Sequence, residues 1–530
     1  MKKKWIALCL ASATLATCLA GCGAPASTED TGSADSTADD STLVIAIPDE
    51  VEGCDIQQIG WENVVQSLIY EPLVEYNEDL SQLLPAFAED YTVSDDGLTI
   101  TFTLPADAKF SNGDTLDAAA VKASVERFKE VSEYSTDLES IESVEAVDET
   151  TLVYHLSAPA PYMWASIAST YGGIVDAAVA EEMGDEAFNR APVGNGPYYV
   201  ENWEQGSQIT LKRNENYVSN NPEVSNTNNF DTIIVRFIPD EFTRVSELQH
   251  GNVDIIYNVP SASISELEAD ENITTYRYLQ TGVNYMNLQT GKGPTADIAV
   301  REAMTYAIDR DEIALALENV VTPAYTFLSP AQTGYSKAKE DEFAQTYAYN
   351  PEKAAQILAD AGYVDTDGDG IVEKDGQPLT VTMMVASDRP SMSAAAPVIQ
   401  QQMKAVGIDL QISEYEAAYV KQATKDDDYE ISTRNYEWSD ADILYSVFTS
   451  ASGYPWNDDT VTADLEYART VNDPEARVEA YEKFSDDMAQ LYKGIPLFSD
   501  NYCIAAKSSI QGLVVTNDGR SWYHDVTRAQ

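Results

Sequence analysis

Apolar and polar positions along this 530-residue chain switch repeatedly between a strand period and a helix period, which predicts a mixed α/β protein. "TLVIAIP" (42–48) is an apolar run of strand length. In "WENVVQSLIYEPLVEY" (61–76), Val64 with Leu68 and Val65 with Ile69 stand four apart, predicting a helix over the segment. Leu98, Ile100, Phe102 and Leu104 alternate with threonines after Asp96-Gly97, a hairpin turn pair. A helix over 115–131, a strand pair over 142–156 and strands at 208–214 and 231–239 complete a first set. A second set starts near residue 280. It holds a strand at 282–290, one long amphipathic helix over 297–317, and a helix punctuated by Asn350, Pro351 and Gly362. A strand at 379–386 follows, then a helix from Asp473-Pro474 to Tyr492 and closing strands at 494–498 and 502–506. One hydrophobic core does not serve a chain of this length, so the two sets predict two α/β lobes.

The N-terminus carries another signal. Lys2, Lys3 and Lys4 precede the short apolar run "WIALCLASATLATCLA", which ends in Leu19-Ala20-Gly21-Cys22. This matches the lipobox of bacterial lipoproteins and predicts removal of residues 1–21 and lipid on Cys22. Residues 22–42, rich in Gly, Ala, Ser, Thr and Asp, then read as a flexible tether with a reach of roughly 25 Å. Of the five cysteines, only Cys54 and Cys503 remain in the body, and they are a candidate disulfide pair.

The chain holds 88 acidic against 32 basic residues, a formal charge of −56, which excludes nucleic acid as a partner. No P-loop, G-x-S-x-G, H-E-x-x-H or dinucleotide fingerprint occurs, and His155, His250 and His524 are scattered. No enzymatic activity and no cofactor are therefore expected. The stretch "VDTDGDGIVEKDGQP" (364–378) brings Asp365, Asp367, Asp369 and Glu373 together as a calcium candidate. Counted from Asp365, however, position twelve is Gly376, where a calcium loop of the EF-hand type needs Glu, and the stretch reads foremost as a turn.

Five segments in order carry a family likeness: "YEPLVEYNEDLSQLLPAFAEDYTVSDDGLTITFTLPADAKFSNGDTLDAAAVKASVERF" (70–128), "VGNGPYYVENWEQG" (193–206), "IPDEFTRVSELQHGNVDI" (238–255), "NYMNLQTGKGPTADIAVREAMTYAIDR" (284–310) and "GIPLF" (494–498). With the lipobox, the chain resembles the extracytoplasmic solute-binding proteins of ABC transporters, the peptide and nickel family (family 5). The resemblance implies a bilobal periplasmic-binding-protein-like clamshell of type II with mixed sheets. Lobe I would comprise 43–279 plus 498–530, with an inserted subdomain at about 75–195, and lobe II would comprise 280–497. It implies a monomer, lipid-anchored on the extracytoplasmic face of the membrane, that passes a small solute to an ABC permease. A dipeptide or oligopeptide leads, ahead of sugar- or opine-like solutes and nickel or a metal chelate. A lipid-anchored hydrolase and a surface adhesin are the rival classes.

In peptide-binding relatives a W-x-x-D-Y-x-D-P segment supplies an aspartate to the ligand's amino terminus, and the corresponding stretch here is "RNYEWSDADILYSVF" (434–448). That role passes to Asp440 or Asp442, with helix capping as the alternative. Trp61, Asn63, Tyr436 and Trp438 are the further cleft candidates. The nickel branch uses a cleft histidine, and no histidine lies between His250 and His524. Arg301 and Arg310, on a helix among acidic neighbours, are read as makers of structural ion pairs.

Overall fold

The computed structural model describes residues 41–225, 227–456 and 458–529. The expected signal segment, Cys22 and the tether up to residue 40 lie outside the described residues.

Strand Thr42–Ile47 runs between two parallel neighbours, Thr232–Phe237 and Ile255–Ile256. Gln208–Arg213 and Tyr198–Glu204 extend this side as antiparallel strands. A second group is built on Thr380–Ala386, parallel to both Asp409–Tyr415 and Ile431–Arg434, with Asn284–Leu288 antiparallel beyond. The two groups meet on one strand of 14 residues, Gly494–Lys507. Its first half pairs with Asn284–Leu288 and Val321–Pro323, and its second half with Ile273–Leu279 and Ile255–Ile256. The sequence predicted two strands here, but the intervening Ser499-Asp500-Asn501 stays extended because Val321–Pro323 and Ile273–Leu279 supply ladder partners through it. A separate four-stranded antiparallel sheet is formed by Asp90–Val93, Thr99–Thr103, Thr151–Leu156 and Ile141–Ala146.

Burial follows the same division. One apolar cluster runs from Leu43 to Ile255 and takes in Ile504, Ala506, Ile510, Leu513, Tyr523 and Val526. A second spans Met286 to Phe498, and a third, rich in aromatic residues, spans Tyr285 to Met488. The fold is a bilobal, mixed α/β periplasmic-binding architecture.

Two predicted helices are shorter or divided. The helix expected over 61–76 covers only Val64–Ile69, closed at its start by a reciprocal Asn63–Gln66 capping box. Pro72 disfavours helical backbone at Glu71, and the chain continues as strand Val74–Tyr76 paired with Leu83–Pro85. The helix expected over 297–317 is two, Ile298–Ala307 and Arg310–Ala316, with Asp309 capping the second. Gln402 binds both the N–H and the C=O of Asp309, at 3.2 and 3.1 Å, which satisfies backbone groups at the break. Arg301 and Arg310 do not form the expected ion pairs. Arg301 donates to the carbonyls of Thr295, Ala296 and Leu491, and Arg310 donates to those of Ala324 and Pro496 with its guanidinium 4.4 Å from the Tyr325 ring centre.

The glycines of "VGNGP" answer to close approach rather than to turn geometry. A Cβ on Gly196 would stand 2.4 Å from both the Ile69 carbonyl carbon and the Tyr70 nitrogen. Asn195 clamps Glu71 from both sides, accepting from its N–H at 3.0 Å and donating to its carbonyl at 2.9 Å. The Y-E-P-L and V-G-N-G-P motifs are thus one packing unit.

Candidate functional site

Two adjoining cavities of about 640 and 740 Å³ open in the structure, the first against Ile47, Val51 and Val64 of the first cluster and the second against Met392 of the second cluster and Tyr436 of the third. Trp61, Asn258, Glu437 and Tyr502 line both, so the two form a continuous cleft. Each cavity alone exceeds the space a single amino acid requires and falls within the usual size of a small-ligand site.

The larger cavity is bordered by the turn that begins the helix Pro390–Ala405. Arg389 occupies the position before the first turn, and no side chain caps the helix. Among the described residues its guanidinium makes only a long contact, 4.0 Å, with Asp388. A guanidinium beside free helix N–H groups is suited to a carboxylate. Nearby Asp500, on the strand that joins the lobes, accepts from Asn284 at 2.9 Å, while its Oδ1 is buried without a hydrogen bond. Burial pushes the Asp500 carboxyl above the usual range.

The other cavity has aromatic walls that include Trp61, Tyr171, Tyr278, Trp438 and Tyr502. Glu437 stands open to the cleft and accepts from Gln280 at 2.7 Å; desolvation by the surrounding protein raises its pKa. Glu62 is likewise raised by burial, and its Oε2 has no hydrogen-bond partner.

Of the residues singled out in the sequence, Trp61, Asn63 and Trp438 line this cavity. Trp61 is 72% exposed despite its size, whereas Asn63 is also the helix cap, accepting from the Val65 N–H at 2.9 Å. Trp438 lies 6.5 Å from Tyr171 between ring centres and packs against the first apolar cluster. Tyr436 lines the larger cavity, mostly buried beside Tyr285, its hydroxyl unpartnered.

Asp440 and Asp442 do not line either cavity. Asp440 is fully buried, held by Arg477 through two bonds of 2.6 and 2.7 Å, and accepts from Thr333 and from the Asp442 N–H. Asp442 sits 3.0 Å from Arg469, whose guanidinium also lies over Tyr162 and Tyr445 at 4.1 and 4.3 Å. Burial pushes the Asp442 carboxyl up to about 7 in spite of that arginine. Both aspartates belong to internal ion pairs, and the reading of either as the amine anchor is corrected on that ground. Neither caps its helix by a side-chain bond.

The disulfide expectation is also overturned. Cys54 and Cys503 are free and buried, packed in different apolar clusters, with thiols raised by burial to about 12 and about 11. At the acidic stretch, the ligand oxygens of Asp365, Asp367, Asp369 and Glu373 come within 4.8 Å of one another. Backbone donors engage all four: Gly368 and Gly370 bond Asp365, Asp369 bonds Asp367, Ile371 bonds Asp369, and Thr366 bonds Glu373. Asp375 and Gly376, both with positive φ, turn the Glu373–Lys374/Gln377–Pro378 hairpin instead.

Sequence reasoning missed Arg389, Glu437 and Asp500. Arg-Pro-Ser before an apolar-periodic stretch does mark a helix start, and Glu437 adjoins the Trp438 already chosen. Nothing local singles out Asp500.

Comparison with known proteins agrees with this architecture. Residues 82–458, well over half the chain, match the model described as "Bacterial extracellular solute-binding proteins, family 5 Middle". The oligopeptide-binding protein AppA of Bacillus subtilis is 26% identical over 465 residues, covering 84% of each chain. The nickel-binding periplasmic protein of Escherichia coli is 29% identical over 374 residues, covering 67% of this chain and 68% of its own. The crystal structure of NikA from Brucella suis in complex with Fe(III)-EDTA superposes with a TM-score of 0.79 at 23% identity, over 92% of this chain and 99% of its own. No helix among the described residues is long and apolar enough to cross a membrane. The chain belongs to family 5 of the bacterial extracellular solute-binding proteins.

Proposed function

We propose that this protein is the lipid-anchored substrate-binding component of an ABC importer, attached through Cys22, and that it captures a dipeptide or oligopeptide for delivery to a membrane permease. Lobe I is taken as 43–279 plus 498–530 and lobe II as 280–497, with the cleft between them. The observation that carries the reading is the pairing, in one cavity, of Arg389 at an uncapped helix start with the buried carboxylate of Asp500, whose Oδ1 has no hydrogen bond. Opposite charges of this kind match a zwitterion whose carboxylate and ammonium are both desolvated on closure. AppA is named for oligopeptides, in line with this assignment. Bare nickel fits less well. No imidazole lines either cavity among the described residues, and the one thiol that does, Cys503, is held protonated by burial.

Native mass spectrometry of the full chain, with thermal unfolding against peptides of two to four residues, nickel chelates and opine-type compounds, tests the proposal. A co-purifying peptide mass and a raised Tm with peptides are expected, the latter from a stabilisation of about 2.7 kcal/mol at a hundredfold excess over Kd. A shift confined to the chelates or opines would overturn the peptide assignment.

A further inference from the structure

The cavity of about 640 Å³ is chemically one-sided. Arg520 is the one Lys or Arg among its lining residues, and that guanidinium is already committed, to Asp518 at 3.0 Å and to the Ala168 carbonyl at 2.7 Å. Against it stand several carboxylates. Two are engaged by neutral donors: Glu50 accepts from the Trp203 indole at 2.8 Å, and Glu52 accepts from the Gly60 N–H at 2.9 Å. Glu437 has only an amide donor, and Glu62 keeps one oxygen buried and unpartnered. Aromatic residues, among them Trp61, Tyr171, Tyr278, Trp438 and Tyr502, line the same space.

Ring faces and carboxylates attract the same class of ligand group. The ring quadrupole draws a cation, and a desolvated carboxylate demands one. A neutral apolar side chain would fill the space and strip water from Glu62 and Glu437 without adding an opposite charge. A guanidinium or ammonium on a short aliphatic stem places its apolar part against the rings and its charge between the acids. Because the cavity continues into the one holding Arg389, a single ligand can reach both.

We propose that this cavity is a selectivity pocket for a basic side chain, so that the protein takes peptides bearing a lysine- or arginine-type group; the inference rests on the peptide reading above. Burial raises both Glu62 and Glu437, and the more distant charges of Arg520 and Arg389 do not reverse it.

Calorimetry on the full chain with matched peptides of two to four residues tests it. In each pair one lysine, placed at every position in turn, is exchanged for norleucine, which keeps the stem and removes the charge. The lysine member of at least one pair is expected to bind tenfold or more tightly, and Glu62→Gln and Glu437→Gln should bring that ratio towards one. Unfolding curves on each variant establish that it is folded. Measurable but equal binding of both members in every pair overturns the pocket and leaves the peptide reading standing. A lysine preference untouched in both variants also overturns the pocket. Binding of no peptide at any length overturns the peptide reading and this inference with it.

Discussion

Asp440 separates a ligand-binding role from a structural one in a single substitution. Asp440→Ala leaves the buried Arg477 guanidinium without its two charge-assisted bonds and takes an acceptor from Thr333. Removing one partner of a buried pair costs about 3–5 kcal/mol, so denaturant unfolding should show a loss of that size. Peptide affinity of the folded variant should be unchanged, because Asp440 does not reach the cleft. A Kd raised a hundredfold with normal stability would restore Asp440 as the amine anchor. The sequence favoured Asp440 and Asp442 for an intelligible reason. A carboxylate looks the same on paper whether a ligand or an arginine 37 residues away satisfies it. Trp61 and Trp438 were legible because large aromatic residues in polar surroundings are informative in themselves. Asp500 was not, because its position depends on two lobes meeting across one strand.

Period served well at the level of elements wherever an element was bounded by its own chemistry. The helix starting at Asn350-Pro351 and the one starting at Asp473-Pro474 begin where their caps predict, at Pro351 and Pro474. It failed where apolar spacing ran across a boundary. The 297–317 stretch keeps helical spacing throughout, yet Ile308 is extended and Asp309 accepts from the Glu312 N–H at 3.0 Å. Asp309 with Glu312 three residues on was a start signal in plain view, overridden by the longer pattern. Asp309→Ala should remove the cap and destabilise the protein by about 1 kcal/mol in equilibrium unfolding. The loss should stay near that value because Gln402 still holds the backbone of residue 309. A neutral substitution would mean that Gln402 alone sets the break. The linking strand was read as two for the converse reason: its partners at Ile273–Leu279 and Val321–Pro323 lie far away in sequence, and a polar interval looks like a loop until they are known.

Across the whole molecule, acidity sets two opposed trends with pH. Burial raises Glu75 to about 7, with the nearby Glu71 charge adding to the effect, and burial raises Asp442 to about 7 as well. His524 is lowered by burial but raised more by the Glu71 carboxylate beside it, and it ends above its ordinary value. All three bind protons more tightly folded than unfolded. Their stabilisation is complete below the unfolded pKa of each and is lost as pH rises through the folded values. At about 1.4 kcal/mol per pKa unit this is a loss of a few kcal/mol between about pH 5 and 8, and self-repulsion at a formal charge of −56 acts in the same direction. Asp254 works the other way. Burial raises it, but bonds from Arg528 outweigh that, so its contribution disappears only on stronger acidification. The unliganded protein should therefore show its highest Tm near pH 5 and a lower one at pH 8. Ligand binding should run against this trend. Glu62, Glu437 and Asp500 are all raised by burial, so each gains its charge above the usual carboxylate range, and a lysine-containing peptide gains partners as pH rises. Unfolding scans from pH 4.5 to 8.5, with and without such a peptide, should give a ligand-induced rise in Tm that widens with pH. A free-protein Tm that increases from pH 5 to 8 would contradict neutral buried carboxyls, and a ligand shift that narrows with pH would place the cleft acids away from the bound cation.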